Sequence, residues 1–210
     1  MASDVAKTHD LLGRELSFLN TKWNDYKTLY CTDDNTVQLL DDTASFFFQI
    51  LREVLRDDFI LSLCRITDPP ASPVRGVKRS NLTIEYLISI IPDADSTLKE
   101  TLKRGLLPII KDRCKSFRDH RNRRVGHYDL DTRLKRPDAL LPGIGIVDAD
   151  AALKSIADVL NAVELYYDKN EQSYDQGIYG SGDGSELIEF IGRAKELQKY
   201  FNHKEFGDPM

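Results

Sequence analysis

The sequence predicts an all-α protein, an antiparallel (up-and-down) helical bundle of four main long helices with short extra ones. Three observations predict it. Apolar residues recur at steps of three and four over long stretches, the period of one helix face. No segment alternates apolar and polar residues for long, as a half-buried strand would. Prolines and clusters of capping residues separate the periodic stretches. The expected organisation is one helical domain over residues 1–210, with its core in about residues 4–170 and a C-terminal helix, about 185–203, as an appendage.

The first helix is expected from about Asp4 to Tyr30, with Leu12, Leu16, Leu19, Trp23, Tyr26 and Tyr30 forming one seam. Thr32-Asp33-Asp34-Asn35 favours an N-cap over a helix interior, so the next helix returns antiparallel. That second helix runs from about Asn35 to Thr67, a spine of roughly 50 Å at ~1.5 Å per residue. Val37, Leu40, Ala44, Phe47, Phe48, Leu51, Leu55, Phe59, Ser62, Leu63 and Ile66 trace its buried face. Phe46-Phe47-Phe48 points around much of the circumference, so the helix is expected to be covered on several sides. Asp68-Pro69-Pro70 stops it, because proline donates no amide and restricts the residue before it.

Ala71 to Asn81 reads as a loop carrying Arg75, Lys78 and Arg79. A short helix follows from Leu82 to Ile91, ended by Pro92. A long helix from about Thr97 to Tyr128 contains Gly105 and Pro108, which predict a kink or break near residues 105–108. Leu130 to Val147 is irregular, with Pro137, Pro142, Gly143 and Gly145. Asp148 caps a helix reaching about Asn170. The glycine-rich run Tyr174 to Ser185 lacks the lysine and preceding strand of a phosphate-binding loop and reads as a connector. The last helix, Glu186 to Phe201, sets Leu187, Phe190, Ile191, Ala194, Leu197 and Phe201 on one side, before a frayed tail from Phe206 to Met210.

Charge narrows the function. The chain carries −5, yet Lys111 to Arg124 holds Lys111, Arg113, Lys115, Arg118, Arg121, Arg123 and Arg124 against only Asp112 and Asp119. A net +5 stripe on an acidic protein is suited to one anionic ligand, with phosphate the obvious candidate. The overall balance argues against a general DNA-coating protein. No run approaches the ~20 apolar residues of a membrane span, and no apolar signal core follows Met1, so a cytoplasmic protein without membrane contact is expected. Cys31, Cys64 and Cys114 read as free thiols, buried or partly so. No zinc-type cysteine–histidine cluster is visible, nor a histidine three or four residues from a core carboxylate as a di-iron bundle requires. Neither metal nor cofactor is expected, although Asp57-Asp58 invites a metal reading. No nucleophile turn of a Ser-His-Asp hydrolase is apparent.

The densest chemistry is Arg118-Asp119-His120-Arg121-Asn122-Arg123-Arg124-Val125-Gly126-His127-Tyr128-Asp129. Guanidinium forks that bind phosphate, beside an imidazole that titrates near neutrality, are the minimum equipment for metal-free RNA cleavage. Arg121-Asn122-x4-His127 resembles the signature of the HEPN superfamily, the higher eukaryotes and prokaryotes nucleotide-binding domains. Trp23-Asn24-Asp25-Tyr26, Asp57 to Leu63 leading into Arg65-Ile66-Thr67-Asp68-Pro69, Asn81-Leu82-Thr83 and Gly126-His127-Tyr128-Asp129 extend the likeness over roughly residues 15–170. Together they resemble its abortive-infection, AbiU-like branch.

The resemblance implies an antiparallel helical bundle that dimerises, with the motifs of both subunits facing one cleft. It implies a metal-independent endoribonuclease of a phage-defence or toxin–antitoxin type system. Arg121 would bind the scissile phosphate, His127 would act as general base or acid, and Asn122 would orient the histidine or a phosphate oxygen. Products would carry a 2′,3′-cyclic phosphate and a 5′-hydroxyl. It also admits a non-catalytic module binding RNA, a nucleotide or a protein partner, and a toxin held by an antitoxin or other regulatory protein.

The residues themselves leave alternatives open. Arg118 and Arg124 flank Arg121 at three-residue steps and, with Lys115, either extend a phosphate-binding face or are solvated. Arg121 either binds the ligand or pairs with an acidic neighbouring helix. Asp129 is a candidate to hold His127. Arg65 and Asp68 form either a structural clasp or a partner for the basic motif. His120 reads as a surface or packing residue, and His9 and His203 as peripheral. Six residues of ideal helix turn by about 600°, which leaves Arg121 and His127 roughly 120° apart. Either the helix distorts or ends near Gly126, or a partner subunit completes the site.

Overall fold

The computed structural model describes residue 1 and residues 3–168, 170–175 and 182–206, with Val74 and residues 202–206 described by backbone alone. The chain is all-α, 77% helix with 4% strand. It contains α1 (Ser3–Tyr30), α2 (Asp34–Thr67), a hairpin of β1 (Ala71–Val74) and β2 (Val77–Ser80), α3 (Ile84–Ile90) and α4 (Ser96–Thr101). A π segment (Leu102–Leu106), α5 (Leu107–Arg113), α6 (Lys115–His120) and a second π segment (Arg121–Val125) follow without a loop between them. Next come α7 (Leu130–Arg133), a 3-10 turn (Pro137–Ala139), α8 (Ile146–Tyr167) and α9 (Gly184–Phe206). The chain divides into two compact units, Met1–Thr21 with Asp57–Ile178, and Lys22–Arg56 with Tyr179–Met210. This cut differs from a core with a C-terminal appendage, because α9 falls with parts of α1 and α2.

The first unit holds the long-range core of the basic stripe. Leu12, Leu16 and Leu19 of α1, Phe59 and Leu63 of α2, Leu87 of α3 and Ile156 and Leu160 of α8 are buried. Phe117 of α6 is buried too, its ring edge-on to Phe59 at 6.0 Å between centroids. His9, expected to be peripheral, is instead buried between α1 and α8. Its Nε2 donates to the Leu160 carbonyl at 3.0 Å, and its Nδ1 lies 3.3 Å from the Glu164 carboxylate. Its place among the seam leucines, one turn before Leu12, puts it on the inward side of α1. Tyr174, expected in the connector, is also buried. Of that connector, Gly177 and Gly180 lie outside the described residues, as do the His203 side chain and the tail beyond Phe206.

The expected loop at residues 71–80 is a hairpin. Ala71 pairs with Ser80 and Val74 with Val77, and Arg75 and Gly76 turn the chain with φ of 49° and 79°. Two consecutive positive φ values match the twist of the flanking strands, and glycine supplies one of them without cost. Asn81 ties the base, its side-chain amide donating to Ser72 Oγ at 2.7 Å and to the Pro69 carbonyl at 3.0 Å. Strands of four residues with little burial have no apolar alternation to read. The expected break near residues 105–108 is the first π segment, which relaxes the helix around Gly105. At α8 the capping differs by position. Gly145 is the N-cap, and Asp148, three residues in, accepts from the Gly145 amide at 2.8 Å.

In the second unit Trp23 and Tyr26 stack at 5.2 Å, and the buried Tyr30 hydroxyl donates to the Phe48 carbonyl at 2.9 Å. Burial pushes the Tyr30 phenol up to about 12. The second helix is interrupted at Ala44 (φ −159°, ψ 69°). Asp183 caps α9, and the Gly184 amide donates to Asp25 at 2.9 Å. Two expected burials fail here. Phe46 and Phe47 are 75% and 60% exposed, so α2 is not covered on several sides. On α9, Phe190, Leu197 and Phe201 are exposed, while Gly184 is buried and Ile188 and Ile191 are partly so. Periodicity finds an apolar face but not what lies opposite it.

Candidate functional site

The candidate site lies in the first unit, where the helix ends. The π segment is closed by the Gly126 amide donating to the Arg121 carbonyl at 2.7 Å, five residues back. A Cβ on Gly126 would stand 3.0 Å from that carbonyl oxygen, so a glycine is what the turn admits. The helix therefore both distorts and ends between Arg121 and His127, and the ideal-helix separation of about 120° does not apply. His127 follows in open chain. It is exposed and makes no hydrogen bond or ion pair to the described residues. Beside it Tyr128 is 79% exposed, with the Arg133 guanidinium 4.3 Å over one ring face.

Asp129 does not hold His127. Its carboxylate caps α7 instead, accepting from the Thr132 amide at 2.8 Å and the Thr132 hydroxyl at 2.6 Å. The Thr132 hydroxyl and amide hold that carboxyl below its usual range. An Asp followed three residues later by Thr at a helix start is a local cap, and local bonds form before distant ones.

The arginines are not one open positive face. Asp68, just past α2, accepts from Arg121 Nη1 at 2.6 Å and 2.8 Å through its two oxygens, and from Arg118 Nη1 at 2.7 Å. Arg118 Nη2 also donates to the Thr67 hydroxyl at 2.9 Å and to the Thr67 carbonyl. Arg124 pairs with Asp57 at 2.5 Å, and Arg123 donates to the Ala139 carbonyl at 2.6 Å. Arg118 and Arg124 are thus committed to α2 and do not extend an open anion face. Lys115 is exposed. His120 is a packing residue, its Nε2 donating to the Pro142 carbonyl at 2.7 Å. Arg65 is exposed and does not join Asp68 in a clasp. Of the two open readings, Asp68 faces the basic motif.

Asn122 bonds the arginine beside it. Its side-chain oxygen accepts from Arg121 Nε at 3.0 Å, so among the described residues it orients the arginine and not His127. With Nε and Nη1 committed, Arg121 keeps Nη2 without a hydrogen bond among the described residues. Its side chain is 25% exposed. The site thus holds one oriented guanidinium edge and one unengaged imidazole. Behind them, burial pushes the thiols of Cys64 and Cys114 up to about 11 each. In front of Asp68 a cleft of about 480 Å³ is lined by Ser62, Arg65, Asp68, Ser72 and Asn81 among others.

The acidic partners were missed as a set, although a signal exists. Asp57 and Asp68 are eleven residues apart, about three helical turns, and so share one face of α2. Arg124, Arg121 and Arg118 meet that face in reverse order, as antiparallel packing requires.

The family model HEPN_AbiU2, AbiU2, matches residues 2–197. The chain belongs to the HEPN AbiU2 family. No curated protein and no solved structure matches it. The match covers α9 as far as residue 197, well beyond the motif. No helix among the described residues is long and apolar enough to cross a membrane.

Proposed function

We propose that this AbiU2 protein is a metal-independent endoribonuclease of a phage-defence or toxin–antitoxin type system, acting as a homodimer in the cytoplasm. One observation carries the reading. Asn122 and Asp68 hold Arg121 so that Nη2 is left for a ligand, while His127, past the π turn, has an imidazole engaged by none of the described residues. In the proposed reaction the 2′-hydroxyl of RNA attacks the adjacent phosphorus and the 5′-oxygen leaves. Arg121 Nη2 stabilises the charge growing on the phosphoryl oxygens. His127 removes the 2′-hydroxyl proton or delivers one to the leaving oxygen, and a second subunit's motif supplies the complementary proton transfer. Products carry a 2′,3′-cyclic phosphate and a 5′-hydroxyl.

The test is cleavage of mixed RNA by purified protein in EDTA, beside Arg121→Ala and His127→Ala variants of verified folding. Loss of cleavage in both, with cyclic-phosphate ends from the parent, supports the reading. Equal cleavage by all three removes it. A second reading has its own support, since Asp68 already neutralises Arg118 and Arg121. On that reading the chain is a non-catalytic module for RNA, a nucleotide, or a protein partner such as an antitoxin. RNA binding without cleavage by any form, or capture of a partner encoded beside it, would favour it.

A further inference from the structure

Most of the stripe's positive charge in the first unit is already paired, with Arg113 and Lys115 its exposed, unpaired exceptions among the described residues. Arg118, Arg121 and Arg124 are tied to Asp57 and Asp68, and Lys111 pairs with Glu85 at 2.5 Å. The hairpin differs. Arg75, Lys78 and Arg79 are exposed and form no ion pair to the described residues. No acidic residue lies between Asp68 and Glu85. Arg79 stands opposite Ser72 in the ladder, and Lys78 opposite Pro73.

The hairpin is also rooted at the candidate site. Asp68, which holds Arg121, is three residues before β1, and Asn81 closes the base by bonding Pro69 and Ser72. The Asn81 amide adds a bond to the Pro70 carbonyl at 2.9 Å. Three residues span at most about 10 Å, and the four residues of a strand roughly another 13 Å. The cleft between that root and the end of α2 is lined by Ser72, Ser80 and Asn81, by Ser62, Arg65 and Asp68, and by the Glu15 carboxylate of α1. Arg65 is the cation of that lining and is exposed.

We propose that the β1–β2 hairpin is the phosphate grip of the protein, with Arg75, Lys78 and Arg79 holding the backbone of single-stranded RNA as it runs toward Arg121 and His127. This rests on the ribonuclease reading of the same site. The physical reason is economy of desolvation. An arginine bonded to a carboxylate must give up that partner to take a phosphate, whereas an exposed unpaired cation gives up only water and counterions. The Ser72 and Ser80 hydroxyls lining the cleft offer neutral donors to the same backbone.

The experiment measures binding in a His127→Ala background, so that cleavage plays no part. The probe is a fluorescein-labelled 20-nucleotide oligouridylate, read by anisotropy from 50 to 300 mM salt. Arg75→Gln, Lys78→Gln and Arg79→Gln are combined in one variant. The comparison variant removes Lys7, Lys103 and Lys135, exposed cations elsewhere in the unit that likewise form no ion pair to the described residues, in the same way. Loss of three phosphate contacts lowers the slope of log K against log salt by about 2 on single strands. The expected result is that drop, with affinity at 100 mM salt falling at least ten-fold, for the hairpin variant alone. Equal loss in both variants, or none in the hairpin variant, overturns the proposal. So does absence of RNA binding by the parent. Cleavage is scored separately with His127 restored, so a working nuclease with a dispensable hairpin leaves the ribonuclease reading standing.

Discussion

At the residue scale, Asp68 organises the site more than any cation does. One carboxylate accepts from two guanidinium groups, and both arginines are about three-quarters buried. Asp68→Ala leaves both without their carboxylate partner, Arg118 keeping only Thr67 and Arg121 only Asn122, whereas Arg121→Ala leaves Asp68 paired with Arg118. Charged hydrogen bonds of this kind contribute about 1.5–3 kcal/mol. Asp68→Ala is therefore expected to destabilise by about 2–3 kcal/mol in urea titrations, and Arg121→Ala by less. A double-mutant cycle with Arg118 separates the terms. Equal losses for Asp68→Ala and Arg121→Ala would mean that the carboxylate is not the hub.

At the element scale, the two π segments make opposite predictions. Around Gly126 a methyl group meets the Arg121 carbonyl at 3.0 Å; around Gly105 it meets nothing within 4 Å. Gly126→Ala is expected to cost about 1–2 kcal/mol by overpacking and to lower any RNA cleavage at least ten-fold, because the turn that ends the helix before His127 must shift. Gly105→Ala is expected to be neutral or to stabilise by about 0.5–1 kcal/mol through backbone entropy. Thermal melting and the cleavage assay check both. A silent Gly126→Ala would detach the π turn from function. The wide segment near Gly105 is announced by Gly and Pro within a helical period. The one at Arg121 is announced by Gly126 alone.

At the scale of the whole molecule, the thiols report the integrity of the first unit. Burial holds the Cys64 and Cys114 thiols at about 11, against the usual 9.0. Below pH 9 both states keep the proton, and the contribution is fully present. Above it the unfolded chain loses protons that the folded chain retains, so stability falls from about pH 9 to 11. The loss is on the order of 2 kcal/mol per thiol. A Cys64→Ala/Cys114→Ala variant should show a shallower decline than the parent in urea titrations at pH 8.5 and 10.5. An unchanged slope would place both thiols in water.

The local pattern of the chain determined the helices, their breaks and the motif. Steps of three and four mark α1, α2, α8 and α9, and Asp68-Pro69-Pro70 and Gly126 mark two ends. The family likeness read from Arg121-Asn122-x4-His127 and its companions holds over residues 2–197. Tertiary structure decided the rest. The arginines of the stripe find acceptors 50 to 67 residues away, beyond any window in which periodicity operates. The outward-facing phenylalanines of α2 and α9 and the inward His9 depend on what packs opposite, which an amphipathic pattern does not name. The hairpin depends on two positive φ values and an asparagine at its base. A sequence records the charges and the periods; which charges are already spent is a property of the packing.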